Sequence, residues 1–367
     1  MKPTGSIRKI GWRVAVGAFL LLWIFHTIFM IEGGRVLPAR GQSWESLGRI
    51  EQWRSAWTLG PQALWQTISL VSPSNLALSL VFMGMTIVLG VIRWRLVLSV
   101  HGLNLSWWRA SQISLVAQFF NSFLLGSTGG DVLKAFYAAR ETHHKKTEAV
   151  VTVLVDRLLG LFAMLLFACL MMLPNFSLIA AHRRLAALAG FILLMMLGCG
   201  LVVVLSLWGG LSRRWPQARE RLRRLPKGEM ADRALDACRE FGRNPAFLLK
   251  TLGVSMLLNV CCVLQIMALA KGLKLHIAPL ALFVIVPVVV CISALPITPS
   301  GLGVRENLYV LMLAVPEINV AAAQALSLSL LAYGGFLAWS VVGGLIYITR
   351  REKDHLAEIV HRENGAL

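Results

Sequence analysis

Charge is scarce in this sequence. Only 15% of its 367 residues are Asp, Glu, Lys or Arg, and 57% are apolar, whereas an ordinary soluble domain is about 25% charged. A chain with mean hydropathy +0.68 cannot cover a soluble core of this size with polar residues. A soluble globular protein is therefore excluded, and a polytopic membrane protein is implied. Sites for metals and cofactors are missing too. The six cysteines, Cys169, Cys199, Cys238, Cys261, Cys262 and Cys291, sit mostly in apolar runs without a CxxC, so neither a disulfide framework nor a zinc site is expected. No HExxH or His-Cys cluster occurs, the Gly126 to Asp131 segment lacks the Gly-Lys-Ser/Thr of a phosphate loop, and Gly301-Leu302-Gly303 lacks the third glycine of a dinucleotide fingerprint. The longest hydrophilic segment, 209–245, is too short for a catalytic domain. No cofactor, no nucleotide hydrolysis and no enzymatic activity are expected.

Acidic residues are half as numerous as basic ones, 18 against 36, for a net charge of +18. In a soluble chain that balance would suggest nucleic acid. Here most basic residues flank apolar runs, where cytoplasmic retention of positive charge and anionic headgroups both favour them, so no nucleic-acid partner is expected. Twelve Trp against four Tyr is compatible with interfacial anchoring.

The first apolar run, about Val14 to Ile31, exceeds the ~7 to 15 residues of a signal-peptide core and follows four basic residues. It reads as an uncleaved first span. Residues 32–73 carry Trp44, Trp53, Trp57 and Trp65 with mixed charge, as expected of a loop with an amphipathic helix at the membrane surface. Further spans are expected near Asn75 to Val97, Thr147 to Leu173, Arg184 to Trp208, Ala246 to Ala270 and Val320 to Ile348, each close to the ~20 residues needed to cross. That makes six full spans.

Two other apolar stretches, Trp107 to Leu125 and Ala278 to Leu295, run into breakers: Gly126-Ser127-Thr128-Gly129-Gly130, and Pro296 through Gly303. Charge and a new helical pattern follow at once, from Asp131 and from Arg305. Helix, break, helix is the pattern of a re-entrant hairpin. Six spans and two hairpins place both termini in the cytoplasm. The segments 140–146, 209–245 (ten Lys or Arg) and 350–353 are then inside, and 174–183, with one Arg, is outside. The hairpins enter from opposite faces, the sequence pointer to an inverted repeat with a midplane site. The expected fold is an all-α integral membrane protein.

Broken helices are tolerated in lipid only where protein or a watery cavity surrounds them. At the first break, Asp131 either caps its helix or binds a cation, and Thr128 adds a hydroxyl. Asp156 and Arg157 lie some ten residues inside an apolar run, where a charge costs about 2.5 kcal/mol or more unless paired or hydrated. Either they form a structural ion pair, or Arg157 offers its fork to a phosphate while Asp156 holds a cation such as Arg305 or Lys134. With Arg305 and Glu306 these residues make three positive and three negative charges, which suits a zwitterionic or phosphate-bearing headgroup, or equally three structural bridges. Asp156, Arg157, Arg305 and Glu306 are expected to meet in one buried site. Asn121, Gln118, Asn259 and Gln265 fit helix-to-helix hydrogen bonds. Arg93 and Arg95, closing the second span, are expected to snorkel to the headgroups.

In these residues the chain resembles the flippase-like membrane domain family, named for the transmembrane half of lysylphosphatidylglycerol synthase. The resemblance rests on Arg93-Trp94-Arg95, Asn121 through Asp131, Asp156-Arg157 and Leu295 through Glu306, in that order over about 75–350. At the first break, where such proteins often carry proline-glycine, this chain has Leu125-Gly126-Ser127-Thr128. The resemblance implies an anchor and external segment at 1–73, a flippase-like domain at 74–350 and a cytoplasmic tail at 351–367, without the soluble synthase domain. It also implies a bacterial cytoplasmic membrane and a lipid substrate that is a phospholipid, polyprenyl-linked or hopanoid-type. The residues expected to bind it are Asn121, Thr128, Asp131, Lys134, Asp156, Arg157, Arg305 and Glu306. Movement would be passive or gradient-driven, with Asp131, Asp156 and Glu306 as proton carriers. The competing readings are a membrane-embedded transferase using Asp131 or Asp156 as base on a lipid-linked substrate, and a non-transporting partner of a lipid-synthesis enzyme.

Overall fold

The computed structural model describes residues 46–69, 71–123, 129–141, 146–208, 244–295 and 303–349, with isolated positions at 26–44, 241–242 and 301. Among them the regular structure is helical, without a strand. The helices are α1 (Arg49–Ser69), α2 (Pro73–Val100), α3 (Trp107–Phe123), α4 (Gly129–Glu141), α5 (Lys146–Met172), α6 (Phe176–Ala181), α7 (Arg183–Trp208), α8 (Pro245–Gly272), α9 (Pro279–Ser293), α10 (Val304–Leu313) and α11 (Ala322–Thr349). Proline opens α2, α8 and α9, where its fixed φ suits a helix start and its missing N–H would have had no intrahelical partner.

Five helical runs are long and apolar enough to cross a membrane: α2, α5 continued into α6, α7, α8 and α11. They coincide with the spans expected from Asn75 onward. The expected first span at 14–31 and the basic segment at 209–240 lie largely outside the described residues. The amphipathic segment does contain a helix, α1. One face of α1 is packed: the Trp57 indole donates to His26 Nδ1 at 2.9 Å and meets Phe29 edge-on. The same helix leaves Ile50, Trp53 and Trp65 exposed, the apolar contribution a surface-lying helix makes to an interface.

α3 and α9 have 17 and 15 described residues, against the ~20 of a typical crossing. Each packs against the helix after its break, α3 on α4 and α9 on α10. In α9 the run from Phe283 to Ile292 is rich in Val and Ile and has Pro287 inside it, a composition that in water favours a strand. It is helical and mostly buried. Where water is excluded, only local hydrogen bonding satisfies every backbone group.

Two glycines bring α3 into backbone contact with its neighbours. A Cβ on Gly130 of α4 would collide with the Ala117 carbonyl, and one on Gly343 of α11 with the Leu115 carbonyl. Ser122 and Ser340 share a 2.6 Å hydrogen bond between the same two helices, α3 and α11. Small residues that let helix backbones meet, joined by hydroxyl hydrogen bonds, are the usual packing device in lipid.

The chain divides into two compact units, one of Met1–Phe82, Ala168–Ile192 and Cys262–Gly334, the other of Met83–Phe167, Leu193–Cys261 and Gly335–Leu367. The boundaries fall within α2, α5, α7, α8 and α11, so every membrane-length helix contributes a part to each unit. The pair α9–α10 belongs wholly to the first unit and α3–α4 wholly to the second.

Candidate functional site

In the second unit the charges collect around Asp156 of α5. Arg93 Nε of α2 donates to its Oδ1 at 2.8 Å and Lys134 Nζ of α4 to its Oδ2 at 3.3 Å. The Asp156 side chain is only 7% exposed. Asp156 thus has a cation on each oxygen, the arrangement a buried carboxylate requires. Arg93 also donates from Nη1 to Ser255 Oγ of α8 at 3.4 Å, while the Ser255 hydroxyl donates onward to the Thr251 carbonyl. Gly160, one turn beyond Asp156 on the same helix face, makes room for this: a Cβ there would lie 2.8 Å from Arg93 Nη1. The Lys134 ammonium rests 4.2 Å from the centre of the Trp94 ring. Trp94 is itself fully buried in a cluster with Val91, Leu98, Ile113 and Tyr137. A cation–π contact and a carboxylate together hold Lys134 away from water.

The snorkelling expected of Arg93 is therefore corrected. Consecutive helix positions turn by 100°, so Arg93 and Arg95 leave α2 about 200° apart. Arg93 meets Asp156; Arg95 meets the start of α3, its Nε on the Leu105 carbonyl at 3.1 Å and its guanidinium over Trp107.

A second ion pair sits beside the first. Arg157 Nη2 meets Asp131 Oδ2 at 2.5 Å, with side chains 48% and 22% exposed. Asp131 is in the first turn of α4, so it complements the positive helix start as well as the arginine. The helix start is also secured from α3: Asn121 Oδ1 accepts from the Gly130 amide at 2.8 Å. Thr128 and the rest of the break at 124–128 lie outside the described residues. Arg93, Lys134 and Arg157 against Asp131 and Asp156 make three cations and two carboxylates, a local surplus of one positive charge.

The first unit builds a different cluster at the start of α10. Gly301 and Gly303 take φ of +69° and +83°, the left-handed region glycine enters without penalty. Glu306, buried, reaches back so that Oε2 accepts from the Gly303 amide at 2.6 Å. Its Oε1 accepts from Arg305 Nη2 at 2.8 Å and from Ser329 Oγ of α11 at 3.1 Å. Arg305 lies over the Tyr333 ring, 4.5 Å from its centre. Both Glu306 oxygens are thereby used in closing the break.

The four residues expected to share one site, Asp156, Arg157, Arg305 and Glu306, each have partners within their own unit. Asp156 takes Lys134 rather than Arg305, the partners found for Asp156 and Arg157 belong to the second unit, and those of Arg305 and Glu306 to the first. Reading the sequence missed Arg93, Trp94, Gly160 and Ser255 in the first cluster, and Ser329 and Tyr333 in the second. One signal was present: Gly160 stands four residues after Asp156, on the same helix face.

Among curated proteins none matches the chain. The family model described as the lysylphosphatidylglycerol synthase TM region matches residues 52–343. That interval takes in every helix from α2 to α10, both breaks and all the charges described above. The chain belongs to the lysylphosphatidylglycerol synthase transmembrane-region family, as a multi-pass membrane protein.

Proposed function

We propose that the chain moves a lipid with a phosphate-bearing headgroup across the membrane, and that Arg157 is the residue that meets the phosphate. The observation that carries this reading is the contrast between two neighbouring ion pairs. Asp156 is enclosed by Arg93 and Lys134, which makes that triad structural. Arg157 is half exposed, and its pair with Asp131 is the outer one. Asp131 is met by one Arg157 nitrogen, Nη2, whereas a phosphate can take two parallel charge-assisted hydrogen bonds from one guanidinium. An incoming phosphate therefore displaces Asp131, and the surplus positive charge favours the exchange. Arg305, engaged by Glu306, Ser329 and Tyr333, holds the second break rather than the headgroup. Movement is passive or gradient-driven, in a cytoplasmic membrane with both termini inside.

The test is lipid movement between leaflets of proteoliposomes, with folding checked by thermal unfolding. Arg157→Gln removes contacts worth roughly 1.5 to 3 kcal/mol and is expected to slow movement tenfold or more. Asp131→Asn, which removes the competitor, is expected to raise the apparent affinity for the headgroup several-fold. Normal movement by well-folded Arg157→Gln would remove the phosphate role and leave Arg157 as half of a structural pair.

A further inference from the structure

Apart from the Asp156 cluster, the second unit has a cleft where α2 ends and α3 begins. It has a volume of about 240 Å³ and is lined by residues of α2, including Ile92, Arg95 and Ser99, and by Leu103, Asn104 and Trp107. Water occupies about 30 Å³ per molecule in the liquid, so there is room for a phosphoryl group with its attached oxygens. Arg95 is fixed on two sides, by the hydrogen bond from Nε to the Leu105 carbonyl and by stacking 4.9 Å from the centre of the Trp107 ring. Those contacts use Nε and the face of the guanidinium. The two terminal nitrogens, the pair that makes parallel bonds to a phosphate or carboxylate, remain for a ligand. Asn104, exposed at the rim, adds an amide donor. Trp107 and Trp108 are 46% and 73% exposed.

We infer that this cleft is a binding site for a phospholipid of net negative charge, separate from the lipid that is moved. Three features select a lipid over a soluble anion. The site closes the end of α2, a helix of membrane length, and so lies at headgroup depth. The exposed Trp107 lines it and the exposed Trp108 follows in the chain, and amphipathic rings of this kind settle at the level of the headgroups. Its polar floor is bordered by Ile92, Leu96 and Leu103, along which a lipid's glycerol and upper acyl segments can lie. Arginine held in place by a carbonyl and a ring loses less freedom on binding than one that must be ordered first. The bound lipid would fix α2 against α3 at the depth where the chain leaves the bilayer.

The experiment uses the full chain in detergent, with short-chain phosphatidylglycerol, short-chain phosphatidylcholine and inorganic phosphate as probes. Thermal unfolding is followed together with mass spectrometry of retained lipid. Phosphatidylglycerol is expected to raise the unfolding temperature saturably and to be retained, the other two probes having little effect at equal concentration. Arg95→Gln is expected to weaken the phosphatidylglycerol effect roughly ten- to a hundred-fold. Asn104→Asp, at an exposed position where folding is not at stake, is expected to weaken it too by placing a negative charge at the rim. An equal effect of inorganic phosphate would mean a free-anion site and overturn the lipid. An equal effect of phosphatidylcholine, or retention unchanged in both variants, would overturn the site. Because Arg157→Gln is expected to leave this response intact, failure here and failure of the transport reading are separately visible.

Discussion

Arg93 and Asp156, 63 residues apart in the chain, meet through Nε and Oδ1 at 2.8 Å and join α2 to α5. Removing one member of a buried pair costs more than the pair itself contributes, because the survivor stays buried without its counter-charge. Arg93→Met is therefore expected to destabilise the protein by roughly 3 kcal/mol. Arg95→Met, which leaves no buried carboxylate without its counter-charge, is expected to change stability by less than about 1 kcal/mol. Unfolding of both variants in one detergent measures the difference, and equal effects would contradict a structural role for the Asp156 triad.

The closeness of α3 and α4 makes Gly130 intolerant of a methyl group. Gly130→Ala drives a Cβ into the Ala117 carbonyl, a rigid neighbour, and is expected to cost about 1–3 kcal/mol. Gly190→Ala on α7, where nothing lies within 4 Å, is expected to be neutral or stabilising by up to about 1 kcal/mol. Thermal unfolding of the pair tests this, and a silent Gly130→Ala would mean that the helices do not touch there.

Outside the spans, Glu317 and His182 form a 2.7 Å pair. A hydrogen bond from its own backbone amide, then one from His182, hold the Glu317 carboxyl below its usual range. A depressed carboxylate adds stability that is present above its unfolded value of about 4.3 and is lost as pH falls through the lower folded value. The melting-temperature difference between the native protein and Glu317→Gln is expected to be present near pH 6 and to shrink as the pH falls below about 4.3. A difference that grew as the pH fell would reverse the sign of this argument.

Topology is open to labelling at exposed positions. With the native cysteines replaced, single cysteines at Asn104, Ser177 and Lys274 are expected to divide, the first reacting from the cytoplasmic face and the other two from outside. Reaction of Asn104→Cys and Ser177→Cys from the same face would overturn the orientation.

Five membrane-length helices could be read from hydropathy because lipid leaves a backbone one local solution; the glycine and proline clusters expected to break the helices lie largely outside the described residues. The Val-rich α9 shows the strength of that rule, since its β-branched residues would otherwise have pointed to a strand. Partner choice was another matter. Arg93 stands near the end of an apolar run, where snorkelling and inward pairing look alike in one dimension. Only packing against α5 and α8, with Gly160 vacating the space, decides between them. Glu306 was equally opaque: its link to the Gly303 amide depends on a left-handed glycine turn, and its link to Ser329 on a helix more than 15 residues further along.

The glycines packed against α3 also bear on how that helix can move. A contact between side chains can loosen by degrees, as one rotamer gives way to another. Gly130 and Gly343 offer α3 no rotamers, only backbone against backbone, so each contact is either seated or lost. A displacement that kept both would carry α4 and the neighbouring turn of α11 along with α3 as one block, and the yielding would have to occur elsewhere in those chains. Disulfides across these contacts should then leave the proposed lipid movement unchanged, since they would tie together only parts that already travel together.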